Sequence, residues 1–355
     1  MWFLLVACTP APSDDSAEVV AEFAPPDALG PWSAGTYEGV VAGSTGVELP
    51  VQVWYPTMET GAGATYDGVL TGIAVEDAAA DCGQSRPVLV FSHGSGGVRY
   101  QSLFLTEYLA THGWVVVAPD HVGNTVFDDG DVSLLDLILR RPADIKDSFD
   151  WLLTETSVTG CVDPEGGYAM AGHSFGGFTT LAITGADIDL AASVAWCADN
   201  GGWLCDEVAD LAEREGGDAV IDLSDPRAWA GIAMAPAGYE VLLGGLPSVT
   251  APQLFLGGTR DTLTPVETQV RPLYTDSGAD PRYLGILTDA GHYTFSDACA
   301  MLPVFDDCAP PYLDPAVAHP ILATVSTAFL DEQLGWDASA WLPPEEPLLS
   351  WERPD

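Results

Sequence analysis

Lysine occurs once in the 355 residues, at Lys146, and Lys plus Arg together number 11 against 52 Asp plus Glu. The resulting formal charge of −41 repels phosphate backbones and anionic lipid, so nucleic acid is not an expected partner. Neither a C-x-x-C pair nor a histidine cluster occurs, which leaves a metal site without a ligand pattern; no metal and no organic cofactor are expected. The N-terminal apolar run Trp2–Ala7 is too short to span a bilayer. Against these absences stand a hydrophobic content of 47% and a charged content of only 18%, which exclude wholesale disorder, and 37 Gly and 27 Pro without the period of a collagen. At about 150 residues per domain the length admits two domains, or one large α/β domain.

The apolar residues 1–7 end directly on Cys8, and Leu5-Val6-Ala7-Cys8 resembles the lipobox of bacterial lipoproteins, in which the cysteine is lipidated and becomes the mature N-terminus. Residues 8–35, polar and Pro-rich from Thr9 to Pro31, then read as a tether. An exported protein anchored to a membrane only through Cys8 is the expectation. Six cysteines remain, an even number that in an exported chain suggests disulfides, with 15 possible connectivities. Local pairs Cys197–Cys205 and Cys299–Cys308 are favoured, which leaves Cys82 with Cys161.

Along 36–335, apolar runs rich in β-branched residues alternate with helical patterns, the signature of a mostly parallel sheet covered on both faces. Strands are expected at Thr36–Val41, Leu49–Tyr55, Pro87–Ser92, Trp114–Ala118, Tyr168–Gly172, Trp229–Ala235, Gln253–Leu256 and Arg282–Leu287. Residues 57–86 read as an irregular Gly- and Ala-rich excursion. Helices are expected at Leu103–His112, with Gly113 past its end; from a first turn holding Pro142; over Phe175–Thr184; from near Pro265; and around Ile321–Phe329. Residues 186–224 become a helical insertion bordering the entrance of any site, and 336–355 a C-terminal tail.

Gly172-His173-Ser174-Phe175-Gly176 matches G-x-S-x-G between a buried strand and a helix. The pattern alone is weak in a Gly-rich chain, and its context gives it weight. A nucleophile on so sharp a turn takes a strained backbone, so the residues two before and two after it must be nearly free of side chain. A serine hydroxyl needs a positioned imidazole to take its proton. Of the six histidines, His112 reads as a helix end, His319 lies in the closing helix, His93 and His173 belong to turns, and His121 reads as tying down a loop. His292, in Ala290-Gly291-His292-Tyr293 just beyond the last expected strand, is the candidate base. Asp261 completes the chain order Ser, Asp, His and follows the Gln253–Leu256 strand; Asp199 is its rival but lies in the insertion. Two backbone N–H groups are needed for the oxyanion, and the candidates are those of Phe175 and of Ser95 in Ser92-His93-Gly94-Ser95-Gly96-Gly97. A phosphate cradle is the other reading of that loop, but no G-K-[ST] follows.

Together these motifs resemble the α/β-hydrolase superfamily over about residues 36–335. More closely, Val53-Trp54-Tyr55-Pro56, Phe91-Ser92-His93-Gly94, Pro119-Asp120-His121-Val122-Gly123-Asn124-Thr125, Arg141-Pro142-Ala143-Asp144 and Gly172-His173-Ser174-Phe175-Gly176-Gly177 are similar to the predicted dienelactone hydrolase and platelet-activating-factor acetylhydrolase-like group. That resemblance implies an eight-stranded central sheet, whose usual strand order makes the strands after Cys82 and Cys161 neighbours. Two departures bear on the substrate. The plasma acetylhydrolase relatives carry their acid just after the sixth strand, where Met234-Ala235-Pro236 offers none, and true dienelactone hydrolases use a cysteine where this chain has Ser174. The expectation is therefore a broad serine ester hydrolase acting on a small-molecule or lipid ester. An amidase, peptidase or acyltransferase on the same residues is the alternative within catalysis, and a non-catalytic binding lipoprotein the alternative outside it.

Overall fold

Buried β-branched runs dictate the centre of the molecule. Val88–Ser92 and Val115–Pro119 are buried at every position, as is Tyr168–His173, which is what a strand covered by helices on both faces requires. A computed structural model describes residues 24–128, 132–154 and 157–354. In chain order the strands are β1 (Ser33–Ala42), β2 (Glu48–Thr57), β3 (Thr65–Tyr66), β4 (Leu70–Thr71), β5 (Val75–Glu76), β6 (Val88–Ser92), β7 (Val115–Pro119), β8 (Tyr168–His173), β9 (Ile188–Asp189), β10 (Val220–Ile221), β11 (Ala228–Met234), β12 (Gln253–Gly258), β13 (Arg282–Leu287) and β14 (Leu349–Glu352). Ten of them form one sheet in the order β14-β13-β12-β11-β8-β6-β7-β2-β1-β5. The run from β7 to β13 is parallel; β2 is antiparallel to both β7 and β1, β14 is antiparallel to β13, and the edge strand β5 is parallel to β1. This is the α/β-hydrolase fold. The eight expected strands are all present, and β5 and β14 extend the sheet at its two edges.

The helices are α1 (Leu103–Thr111), α2 (Leu134–Thr154), α3 (Phe175–Ile183), α4 (Leu190–Asn200), α5 (Cys205–Glu215), α6 (Tyr239–Leu242), α7 (Arg271–Asp276), α8 (Ala298–Met301) and α9 (Pro315–Gln333). One core lies between the sheet and α1 and α9, including Trp54, Trp114, Leu322 and Phe329; others lie under α3 and α5 and under α2. Pro142 does not open its helix. It sits in the interior of α2, which begins eight residues earlier because Ser133 and Asp136 cap it: the Ser133 hydroxyl accepts from the Asp136 amide at 3.1 Å and donates to its carboxylate at 2.7 Å. Between α3 and β11, where the apolar run Leu190–Ala195 forms part of a helix rather than a strand, α4 and α5 pack together and are tied by Cys197–Cys205.

Disulfides join Cys82–Cys161, Cys197–Cys205 and Cys299–Cys308, the favoured pairing. Three such bonds fit an oxidising, extracellular or periplasmic compartment. Among the described residues no helix is long and apolar enough to cross a membrane. Cys8 and the lipobox-like segment lie outside the described residues.

Candidate active site

Ser174 joins β8 directly to α3, and the junction forces it to φ +58° and ψ −116°, a region that side chains other than glycine rarely adopt. Such strain costs on the order of 1–3 kcal/mol and persists only where the surroundings enforce it. Here the Ser174 amide donates to the Met234 carbonyl at 2.9 Å, while its own carbonyl accepts from the amides of Gly177 and Ala237. Clearance is tight around the turn. A Cβ on Gly172 would lie 2.2 Å from the Gly176 carbonyl oxygen, and one on Gly176 would lie 1.9 Å from that of Ser92, so only glycine fits at either position.

His292 and Asp261 come from the loops after β13 and β12, which are sewn together where they leave the sheet. The Arg260 amide donates to the Ala290 carbonyl at 2.9 Å, and the Arg260 guanidinium pairs with Asp289 at 2.7 Å. Asp261 Oδ2 lies 2.8 Å from His292 Nδ1, and Asp261 Oδ1 accepts the amides of Leu263 and Thr264, each at 2.8 Å. Burial opposes the charge on Asp261, but the hydrogen bonds from His292 and Thr264 outweigh it and hold the carboxyl below its ordinary range. An ionised carboxylate only accepts, so Nδ1 carries the proton and the lone pair of His292 is on Nε2.

Behind His292, the ring of His173 lies 4.7 Å away and its Nε2 donates to the His292 carbonyl at 3.0 Å. Burial, and next the neighbouring His292, push His173 down to about 3, so it stays a neutral strut. Its Nδ1 accepts from the Gln101 amide nitrogen at 3.2 Å, while Gln101 Oε1 accepts the Gly94 amide at 3.1 Å. One side chain thus links the support of His292 to the loop after β6. In that loop the amides of Gly94, Gly96 and Gly97 are engaged by Gln101, Asn124 and the Gly94 carbonyl. The Ser95 amide has no protein acceptor among the described residues, and the Phe175 amide is one of the unpaired donors opening α3.

A second set of buried polar groups underlies the loop. His121 sits between Ser92 Oγ, 2.9 Å from its Nε2, and Asp144 Oδ2, 2.8 Å from its Nδ1, with all three side chains excluded from solvent. His121 therefore does tie down a loop. Its amide donates to His93 Nε2 at 2.9 Å, and Arg141, also fully buried, donates to the carbonyls of His93 and Gly94. Burial first, and then the Arg141 charge, hold both His93 and His121 well below the ordinary imidazole value. Asp144 is pushed up to about 7, chiefly by burial. Sequence reasoning missed Gln101, Arg141 and Asp144 as site supports. A signal was available for Arg141, a charged residue between Ile138 and Ile145 on the apolar stripe of α2.

Of the other candidates, His112 ends α1 and its Nε2 lies 2.9 Å from the Ala28 carbonyl, whereas His319 stacks on Phe104 within α9. Asp199 is exposed in α4, away from the cleft. Ser174, His292, Ser95 and Phe175 all line one cleft of about 780 Å³, with Trp203 and Leu204 of the α4–α5 connection on its wall.

Residues 58–127 match the family model of platelet-activating factor acetylhydrolase, isoform II. The matched stretch carries β6, the candidate oxyanion loop and β7. On a mostly parallel α/β sheet, the likeness to this acetylhydrolase family supports an esterase- or lipase-type hydrolase. No curated protein sequence matches the chain significantly.

Proposed function

We propose that the chain is an exported serine hydrolase that cleaves carboxylic esters through an acyl-enzyme. Ser174 Oγ attacks the carbonyl carbon as its proton passes to His292 Nε2, while Asp261 holds the imidazole and stabilises its charged form. The amides of Ser95 and Phe175 receive the oxyanion. His292 then returns the proton to the leaving alkoxide, and water repeats the sequence to free the acid. No metal or organic cofactor takes part. The substrate is a small-molecule or lipid ester; nucleic acid is not a partner, and the membrane is met only through a lipid anchor at Cys8.

The observation that carries this reading is the strained Ser174 facing the same cleft as His292, whose Nδ1 is bound to Asp261. Steady-state hydrolysis of p-nitrophenyl butyrate by wild type and Ser174→Ala tests it, with butyryl p-nitroanilide and an added alcohol acceptor as parallel arms. A fall in kcat of about 10⁴-fold or more in the variant is expected. Equal rates in both proteins, or cleavage of the anilide alone, would refute it. Fractionation of cells expressing wild type and Cys8→Ala tests the anchor; an unchanged soluble distribution counts against it.

A further inference from the structure

Among the described residues that line the cleft there is no Asp, Glu, Lys or Arg, although charged residues make up 18% of the chain. Asp261 lies behind Thr264 and His292 rather than on the wall, and Arg141 is covered by the Phe175 ring. The walls are formed instead by side chains such as Val98, Ile138, Phe178, Leu204, Met301 and Phe305. Exposed apolar side chains continue the same surface outward at the mouth, where Val126, Phe127, Trp203, Leu263 and Leu302 are each about half exposed or more.

From this lining we infer that the substrates are esters whose acyl part is uncharged, and that the cleft rejects an acyl chain carrying charge of either sign. The inference rests on the proposed ester hydrolysis at Ser174. A volume of about 780 Å³ encloses a molecule of ordinary ligand size, so a charged group on a short ester has to leave water for the wall. Among the described residues nothing on the wall offers it a counter-ion, and an unpaired charge moved into such surroundings is strongly penalised. The protein carries a formal charge of −41. A long-range field of that sign attracts cations and repels anions, whereas loss of solvation disfavours both. A cationic ester therefore separates the two effects.

The experiment compares p-nitrophenyl esters in matched pairs. The monoester of hexanedioic acid is paired with the 6-methylheptanoate, and the 6-(trimethylammonio)hexanoate with the 7,7-dimethyloctanoate. Each is run on wild type and Ser174→Ala at low salt and in high salt, where exposed charges are screened. The charged member of each pair is expected to show kcat/KM lower by about 30-fold or more at both ionic strengths. A smaller deficit in either pair at high salt, or a cationic ester faster than its neutral partner, overturns the inference while leaving Ser174-dependent hydrolysis intact. If neither neutral ester is cleaved, or Ser174→Ala cleaves them equally well, the reading of Ser174 fails and takes the inference with it.

Discussion

The guanidinium carbon of Arg141 lies 4.5 Å from the centre of the Phe175 ring, so a cation buried in α2 packs against the residue whose amide is proposed as an oxyanion donor. The same guanidinium donates to the carbonyls of His93 and Gly94, just before Ser95. Arg141 thereby ties together the two segments that hold the proposed donors without touching the cleft, as a positioning residue.

Arg141→Met keeps much of the volume and removes these hydrogen bonds. Its kcat is expected to fall by about 10- to 100-fold with KM nearly constant, since oxyanion donors act in the transition state. Arg141→Lys lacks the planar fork and should not restore the rate. Steady-state kinetics on variants shown to be folded by thermal melting check this; an unchanged kcat, or a change in KM alone, contradicts it.

Asp261→Asn retains the shape of the acid but can donate to His292 Nδ1, which favours the tautomer with its proton on Nε2. A loss in kcat on the order of 10³- to 10⁴-fold is expected. Asp199→Asn, changed on the exposed face of α4, is expected to leave kcat alone. Comparable losses in the two variants would reassign the acid.

The disulfides should differ in worth according to the chain they close. Cys82–Cys161 spans a separation of 79 residues and Cys197–Cys205 only 8. Loop-closure entropy gives about 4.5 kcal/mol for the first and about 2.5 kcal/mol for the second. Replacing each pair by two alanines and measuring denaturant unfolding should reproduce that order, and equal losses would contradict it.

Asp331 in α9 is buried, neither of its carboxylate oxygens has a hydrogen-bond partner among the described residues, and burial pushes it up to about 8. For an acid raised in the folded state, the stabilising form is the protonated one. Its contribution is complete below the unfolded value near 4 and is lost as pH rises toward 8. Asp331→Asn should therefore flatten the decline in Tm between pH 5 and pH 8, gaining about 2 kcal/mol over wild type at the upper end. A variant whose melting curve tracks wild type across that range would show that the group finds compensation.

What was legible in the chain follows from how local each cause is. A buried strand, a G-x-S-x-G turn and a helix lie within twenty residues, so the elbow at Ser174 and the clearance at Gly172 and Gly176 could be read directly. Asp261 and His292 could be named from chain order because each follows an apolar strand pattern. The start of α2 was hidden by Pro142, which draws the eye to a first turn, although Ser133 and Asp136 form the actual cap. The strand β14 was hidden because only Leu349 and Trp351 alternate in it; its place depends on Trp351 stacking on Tyr283 at 5.4 Å. Gln101 could not be found at all from pattern, since its partners Gly94 and His173 are 7 and 72 residues away.

The most direct measurement is intact-protein mass spectrometry after treatment with a small uncharged fluorophosphonate, followed by peptide mapping. One adduct per chain, on Ser174, formed far more slowly in His292→Ala and absent from Ser174→Ala, is the expected result. An unmodified wild-type protein that still hydrolyses esters, or an adduct on another serine, would contradict the assignment.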